Sequence, residues 1–497
     1  MSCQLIHPRW SGLLCVLGLI FTVTKASAFS LLGPYTEWMT QENGYRYPHQ
    51  AGGPMSLGEE YRWNLPVITY GFDSSFVAYF GEEGVAEVEQ AMTLLNALPP
   101  ASAIDPTTHP LRIQFKNDLA VSGSVCDLKS TALSLLLEQL GLAPPSSSMY
   151  VLRSRTITPV STYYVTNYHV IERNYHPLTT ETSARVNNTL FVYDVHESPL
   201  WGADAIERPA DPLSFIHYAA ADMAAYAGHY FTGLSQDDVG GLRYLYSAQN
   251  RNVERLPTTV ERVDGSPVIN EALRPGVEKI VFQRVPGIVY PAIPLNMAIE
   301  FDDTYIVDGE TRTQRLRRQI QRPDIVFTAG DLGVYSPSGY PRLYRTTATT
   351  NWINHASLNG FVSTAGPGII APGVEIAFSN VLPVNSAQSY VNIYSNQGTT
   401  GRWGSFTAAG EPLAVFPKPT VGTTGLAALT VWQGETQKKL SWLTIIRPQT
   451  GYHLQSSTDL QNWNTITTYP ATNQMLLPVE AEIISTGPGK FFRLIEE

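Results

Sequence analysis

The sequence predicts a β-rich, multidomain chain: an N-terminal α+β domain followed by all-β, sandwich-type domains. Three observations predict it. The chain has 497 residues, and single cores stop growing near roughly 250–300 residues, so about two to four domains are expected. Only 15% of the residues are charged while 26 are Tyr and 35 are Pro, a balance that favours strands and long loops. Helical periodicity is confined to the first half, whereas short alternating runs continue to the end. The net charge of −10 lacks the basic face that nucleic acid requires, so no nucleic-acid partner is expected.

Residues 1–28 have the form of a signal peptide. Arg9 supplies the positive region, Leu13–Val23 is an apolar run too short to span a bilayer, and Ala26-Ser27-Ala28 fits the cleavage rule. Cys15 follows Leu13-Leu14 rather than the small residues of a lipid-attachment signal. No later segment reaches spanning length, so no membrane span is expected after cleavage. The expected location is outside the cytoplasm: extracellular, cell-surface or periplasmic. Cys3 and Cys15 leave with the signal, and Cys126 remains alone. An internal disulfide is then excluded, and Cys126 reads as a buried structural thiol.

Residues 29–66 are Gly/Pro-rich and aromatic, an irregular N-terminal segment. The α+β domain is expected over 67–248. Val67–Phe72 is β-branched and aromatic, hence a strand. In Gly84–Leu98, Val85, Val88, Met92 and Leu95 fall on one helical face, Glu82-Glu83 favour its start, and Pro99-Pro100 stop it. Leu111–Phe115 alternates as a short strand. Asp127–Pro145 is the best amphipathic helix: Asp127 caps it, Leu128, Ala132, Leu135, Leu136 and Leu140 form its apolar face, and Gly141 then Pro144-Pro145 end it. Residues 149–195 alternate as hairpin strands, with Asn187-Asn188 as a tight turn. The Ala-rich stretch Pro212–Tyr230 reads as helix. Ser235–Tyr246 is a short helix capped by Ser235, with Asp237-Asp238 in its first turn.

Residues 249–274 are polar and aperiodic, and are expected as a linker. Residues 275–414 are expected as an all-β domain, with strands at Lys279–Val285, Met297–Phe301, Tyr305–Val307, Gln314–Ile320, Ile325–Thr328 and Val374–Phe378. Asp308-Gly309 is a two-residue hairpin signal. Residues 415–424 form a second linker. Residues 425–497 hold Leu440–Ile446, Tyr452–Ser456 and Phe491–Ile495, enough for a small β-module.

The strand–helix–strand–helix order over 67–142, with Leu234–Tyr246 (LSQDDVGGLRYLY), resembles a matrixin-type metzincin domain. The resemblance implies a zinc-protease fold across about 60–248. Its zinc motif, His-Glu-x-x-His-x-x-Gly-x-x-His, is absent. Aligned on Leu140-Gly141-Leu142, the positions of the first His, the Glu, the second His and the third His are Ser134, Leu135, Glu138 and Pro144. The resemblance therefore implies a fold without the zinc chemistry, with no catalytic residue to assign. The segment Gly451–Trp463 with the closing Phe-Phe-Arg-Leu resembles a terminal β-module of bacterial secreted proteins, Ig- or fibronectin-like.

Other candidates are each weighed against a structural role. His217, Asp222 and His229 do not share a helical face, so hydrogen-bonded structural residues are expected. Met223 reads as core packing. Asp302, Asp303 and Asp308 flank a hairpin and leave calcium as the one cofactor open, although the spacing is not that of a calcium loop. Arg312, Arg315, Arg317, Arg318 and Arg322 form the only basic cluster, a solvated strand face or a patch for acidic glycans. Trp403, Trp432, Trp442 and Trp463 suit either sugar stacking or a β core. The leading expectation is an exported non-catalytic binding or structural protein that meets an extracellular protein or glycan ligand. The alternative is a divergent extracellular hydrolase, either a metallopeptidase or a carbohydrate-active enzyme.

Overall fold

The computed structural model describes residues 27–33, 38–40, 43, 53–123, 125–198, 202–213, 215–222, 227–289, 293–329, 352–354, 368–370, 372–378, 402–407, 414–416, 438–445, 451–457, 462–471, 476–483 and 491–496. Strands dominate, distributed over several sheets.

A four-stranded sheet sits at the centre, in the order Val281–Val289, Val67–Asp73, Ile325–Thr328, Val374–Ala377, every neighbour parallel. Apart from Gly71, the buried middle of Val67–Asp73 is β-branched and aromatic, the composition of a strand covered on both faces. Helix α1 (Ser74–Asn96) follows at once. It begins at Ser74 and not at the predicted Gly84, because the Asp73 carboxylate caps it by accepting from the Phe76 N–H at 2.9 Å. The left-handed Gly81 (φ 65°) absorbs a kink between its two parts. Phe72, Phe76 and Phe80 from this strand and helix pack with Phe327, Phe378 and Trp403. One hydrophobic cluster thus runs from Phe29 to Phe416. Strands from 275–414 complete the sheet that the 67–248 stretch begins, so the two stretches share a core.

The short strand expected at Leu111–Phe115 occupies Gln114–Lys116 and pairs with His229–Phe231. Helix α2 (Asp118–Ser122) is a single short turn region capped by Asn117. Helix α3 (Leu128–Gln139) keeps the predicted ends: Asp127 accepts from the Ser130 N–H at 2.9 Å, and Gly141 takes φ +99° beyond the Leu140 cap. Its expected amphipathic stripe is corrected. Only Lys129 and Thr131 are even partly exposed, because the helix is enclosed on all sides. Two of its last carbonyls are satisfied by tertiary donors, Trp63 Nε1 to Gln139 O and Tyr246 Oη to Leu140 O, both at 2.7 Å.

Two antiparallel ribbons follow, Tyr150–Val160 with Tyr163–Glu172 and Thr189–Ser198 with Gly202–Pro209. Asn187 (φ 42°) and Asn188 (φ 71°) make the expected tight turn before the second. Among the described residues of Pro212–Tyr230 the expected helix is not found. They hold one 3-10 turn, Ala220–Asp222, and the strand His229–Phe231. Alanine favours helix, but here the Ala219 N–H donates to the Asp222 carboxylate within the turn while the Ala220 and Ala221 N–H groups donate to the Asp238 carboxylate, and these bonds override propensity. Helix α4 (Gln236–Tyr246) forms as expected, with a reciprocal capping box between Ser235 and Asp238.

The stretch 249–274, expected as a linker, instead holds the strands Arg251–Arg255, Val260–Arg262 and the start of Glu271–Pro275. They join a five-stranded antiparallel sheet with Met297–Val307 and Glu310–Ile320. Its polar sequence reflects buried ion pairs in place of buried hydrocarbon: Arg62 with Glu254 at 2.7 Å, and Arg274 with Asp303 at 2.9 Å. Asp308 (φ 52°) and Gly309 (φ 79°) form the expected hairpin turn. Near the C-terminus Lys438–Ile445 pairs with Leu476–Ile483, and Tyr452–Ser457 pairs with Asn464–Tyr469 and Phe491–Glu496. Among the described residues no helix is long and apolar enough to cross a membrane.

Candidate functional site

The face of α3 singled out by the sequence meets the Ala219–Asp222 turn. Ser134 Oγ donates to Ala220 O at 2.6 Å and to Ser130 O at 3.1 Å. Leu135, Glu138 and Pro144 are also buried. The positions aligned with the zinc ligands are therefore packed against protein, not opened to a cleft.

Three buried carboxylates build that packing. Asp222 accepts from the Ser146 and Ala219 N–H groups, both at 2.7 Å. Asp238 accepts from Ala220 N at 3.0 Å, Ala221 N at 2.9 Å and Ser235 N at 2.7 Å. Asp237 accepts from Asn187 N at 2.7 Å. Desolvation pushes all three carboxyls up, Asp222 to about 7 and Asp237 well above the usual range. Backbone N–H groups pull each back, and the mutual repulsion of the acids adds to the rise for Asp222 and Asp237. With their oxygens committed to backbone donors, the acids clamp one loop, one turn and one helix end together. A general acid needs reach to a substrate as well as a suitable pKa; this cluster has the second without the first.

His217 Nδ1 lies 3.3 Å from Asn187 O, while His229 sits opposite Lys116 in the strand pair, so the two do not converge with Asp222. Met223 lies outside the described residues. Cys126 is buried, and burial with the neighbouring Asp127 pushes its thiol up to about 12, which makes it inert.

The three hairpin acids also fail to converge. Asp302 pairs with Arg315 at 3.2 Å on the exposed face, Asp303 is buried against Arg274 and Gln314, and Asp308 lies in the turn. Among the described residues no group of three or more His, Cys, Asp or Glu is placed to hold a metal. The basic cluster is an ion-pair ladder: Arg312 faces Glu310, Arg315 and Arg317 face Glu300, and Arg318 is buried against Asp324. Trp403 is core, edge-on to Phe378. Trp463 is half-buried, Trp432 lies outside the described residues, and so does the side chain of Trp442.

An apolar groove between α1 and α4, lined by Leu95, Leu98, Ile104, Leu242, Tyr246 and Phe282, holds a cavity of about 40 Å³. Small-molecule sites span roughly 300–1,000 Å³, so this space is too small for such a ligand. Glu278 at its rim is committed to Ser102 N and Ala248 N.

Among the described residues, one further feature lies open to solvent, and its sequence reads as ordinary strands. The first ribbon stands away from the body, with Tyr163 and Tyr164 at its tip 59% and 73% exposed. The signal was present: residues 156–167 contain no charged side chain. No family model, curated protein or solved structure matches the chain.

Proposed function

We propose that this chain is an exported, non-catalytic binding or structural protein in which residues 67–248 carry a degenerate metzincin-like domain. The observation that carries the reading is the covered face of α3, where Ser134 bonds to Ala220 and the carboxylates of Asp222 and Asp238 fix the covering turn. A zinc enzyme needs an open coordination position and a path for substrate; here that volume is filled by backbone. The capped LSQDDVGGLRYLY helix, lying close to α3, supports the family resemblance, because Asp238 serves both the cap and the turn. The parallel sheet draws strands from beyond residue 280, so a metzincin-like unit here would lean on the rest of the chain.

Metal analysis of the purified protein, with a peptidase assay on the same sample, tests the reading. Substoichiometric zinc and no zinc-dependent cleavage are expected. One zinc per chain, or cleavage abolished by a chelator and restored by zinc, overturns it and favours the hydrolase alternative.

A further inference from the structure

The ribbon Tyr150–Val160/Tyr163–Glu172 has a physical difficulty that its surroundings do not resolve. Its root is held: Tyr150 packs on Tyr193, and Glu197 of the neighbouring ribbon accepts from Arg155 Nε at 2.7 Å and Tyr168 Oη at 2.6 Å. Beyond that root both faces lie in solvent. Ile157, Val160, Tyr163, Tyr164 and Val165 are exposed large hydrophobics. A two-stranded ribbon with neither face covered is marginal in water.

Its outer edge is equally unguarded. Among the described residues Tyr163–Glu172 pairs only with Tyr150–Val160. Proteins protect such edges with Lys, Pro, bulges or short strands. Over Tyr163–Ile171 (YYVTNYHVI) there is no Lys, Arg, Asp, Glu or Pro, and the irregularity in this pair falls on the other strand, between Leu152 and Ser154.

The sequence of that edge says what fits it. Two copies paired antiparallel about a two-fold axis at Asn167 set Tyr163 opposite Ile171, Tyr164 opposite Val170, Val165 opposite His169 and Thr166 opposite Tyr168. Aromatic residues then face β-branched ones at both ends, the cross-strand pairing that stabilises sheets, and no like charges meet. Asn167 faces itself across the axis, where one amide donates to the other's carbonyl. Moving the axis by one residue to Thr166 replaces these with Tyr164–Tyr168 and Tyr163–His169 pairs and leaves Val170 and Ile171 without partners. We propose that the Tyr163–Glu172 edge is a homodimer interface, in which two copies of this chain join their ribbons into one continuous four-stranded antiparallel sheet. This is an isologous contact that closes on itself and leaves no free copy of the edge.

The test is a charge exchange at the axis. Sedimentation of the purified protein over a concentration series up to about 100 µM covers any micromolar dimer. The wild type is expected to be dimeric. Asn167→Lys and Asn167→Glu place like charges opposite each other, and each is expected to weaken the dimer by roughly tenfold or more. A one-to-one mixture of the two restores it, since Lys then meets Glu. Asn167 is exposed, so each variant keeps the wild-type circular dichroism, and its melting temperature matches that of the wild type diluted to monomer. A wild type monomeric throughout the series overturns the proposal, and flotation of that monomer with neutral phosphatidylcholine vesicles would reassign the tyrosine tip to a lipid surface. A dimer that survives both single variants, or a mixture that stays monomeric, places the interface elsewhere and overturns it as well.

Discussion

Arg62 is a charged side chain with 1% of its surface in water, and its partner Glu254 has 2%. Its guanidinium makes four hydrogen bonds: Glu254 at 2.7 Å, then the carbonyls of Leu245, Asn250 and Arg274 at 3.1, 2.7 and 3.1 Å. Burial pushes the Glu254 carboxyl up, and Arg62 beside it is the largest force pulling it down. Removing the cation leaves a desolvated acid and three carbonyls without that donor. Arg62→Ala is therefore expected to cost about 3–5 kcal/mol of unfolding free energy. The double variant with Glu254→Ala should lose less than the sum of the two single losses, because the pair is coupled. Urea titrations of the four proteins check this, and strictly additive losses would show the pair to be energetically independent. None of it was legible beforehand. Arg62 sits in an aromatic Tyr-Arg-Trp run and its partner lies 192 positions away, so local pattern carries no trace of it. Ser235 and Asp238, three residues apart, were legible for the opposite reason: a capping box is a local interaction.

Helices α3 and α4 announce their ends more faithfully than their surroundings, whereas α1 begins at Ser74 and not at the predicted Gly84. Asp127 and Gly141 bound α3 as composition alone predicts, since caps answer to unsatisfied backbone groups within one turn. The leucine stripe, by contrast, predicts one buried face, whereas Ser130, Ser134, Glu138 and Gln139 are buried too. Polar residues on a helix do not reveal whether their partners are water or protein. Ala220 and Ala221 carry the same lesson, because their helix propensity loses to the Asp238 carboxylate at the start of α4. Gly141 gives an element-scale prediction. Its left-handed backbone costs any other residue about 1–2 kcal/mol, and a Cβ there would lie 2.3 Å from Tyr61 O. Gly309 shares the positive φ, but its Cβ would meet nothing within 4 Å. Gly141→Ala should therefore lower the urea midpoint clearly more than Gly309→Ala; equal shifts would mean that the neighbouring backbone at Tyr61 yields freely.

At the scale of the whole molecule, the central parallel sheet joins Val67–Asp73 to strands that begin at 281, 325 and 374. Each strand was readable as a short apolar run, but a parallel pairing carries no turn signal between partners. That is why a boundary was expected at 249–274 where the structure has a shared core. The same architecture encloses many acids, and this sets the pH response of the entire fold. Desolvation is the first cause that raises Asp127 to about 6 and Asp222 to about 7, and Glu60, Asp237, Asp238 and Glu254 move the same way. A carboxyl with a raised folded-state pKa binds protons more tightly in the native than in the unfolded chain. Its favourable contribution is whole below the unfolded value near about 4 and is lost as pH rises through the folded value. Asp105, Asp194 and Asp264 are shifted down instead, but they are exposed and act only at lower pH. Acidification from about pH 8 to about pH 5.5 should therefore raise the urea midpoint, through the window that Asp222 and Asp127 define. A midpoint that falls over this range would mean that these carboxyls ionise in the native state with compensation beyond their backbone donors. Such a result would leave the clamp of Asp222 and Asp238 intact, because an ionised carboxylate is the stronger acceptor for the N–H groups of the Ala219–Asp222 turn.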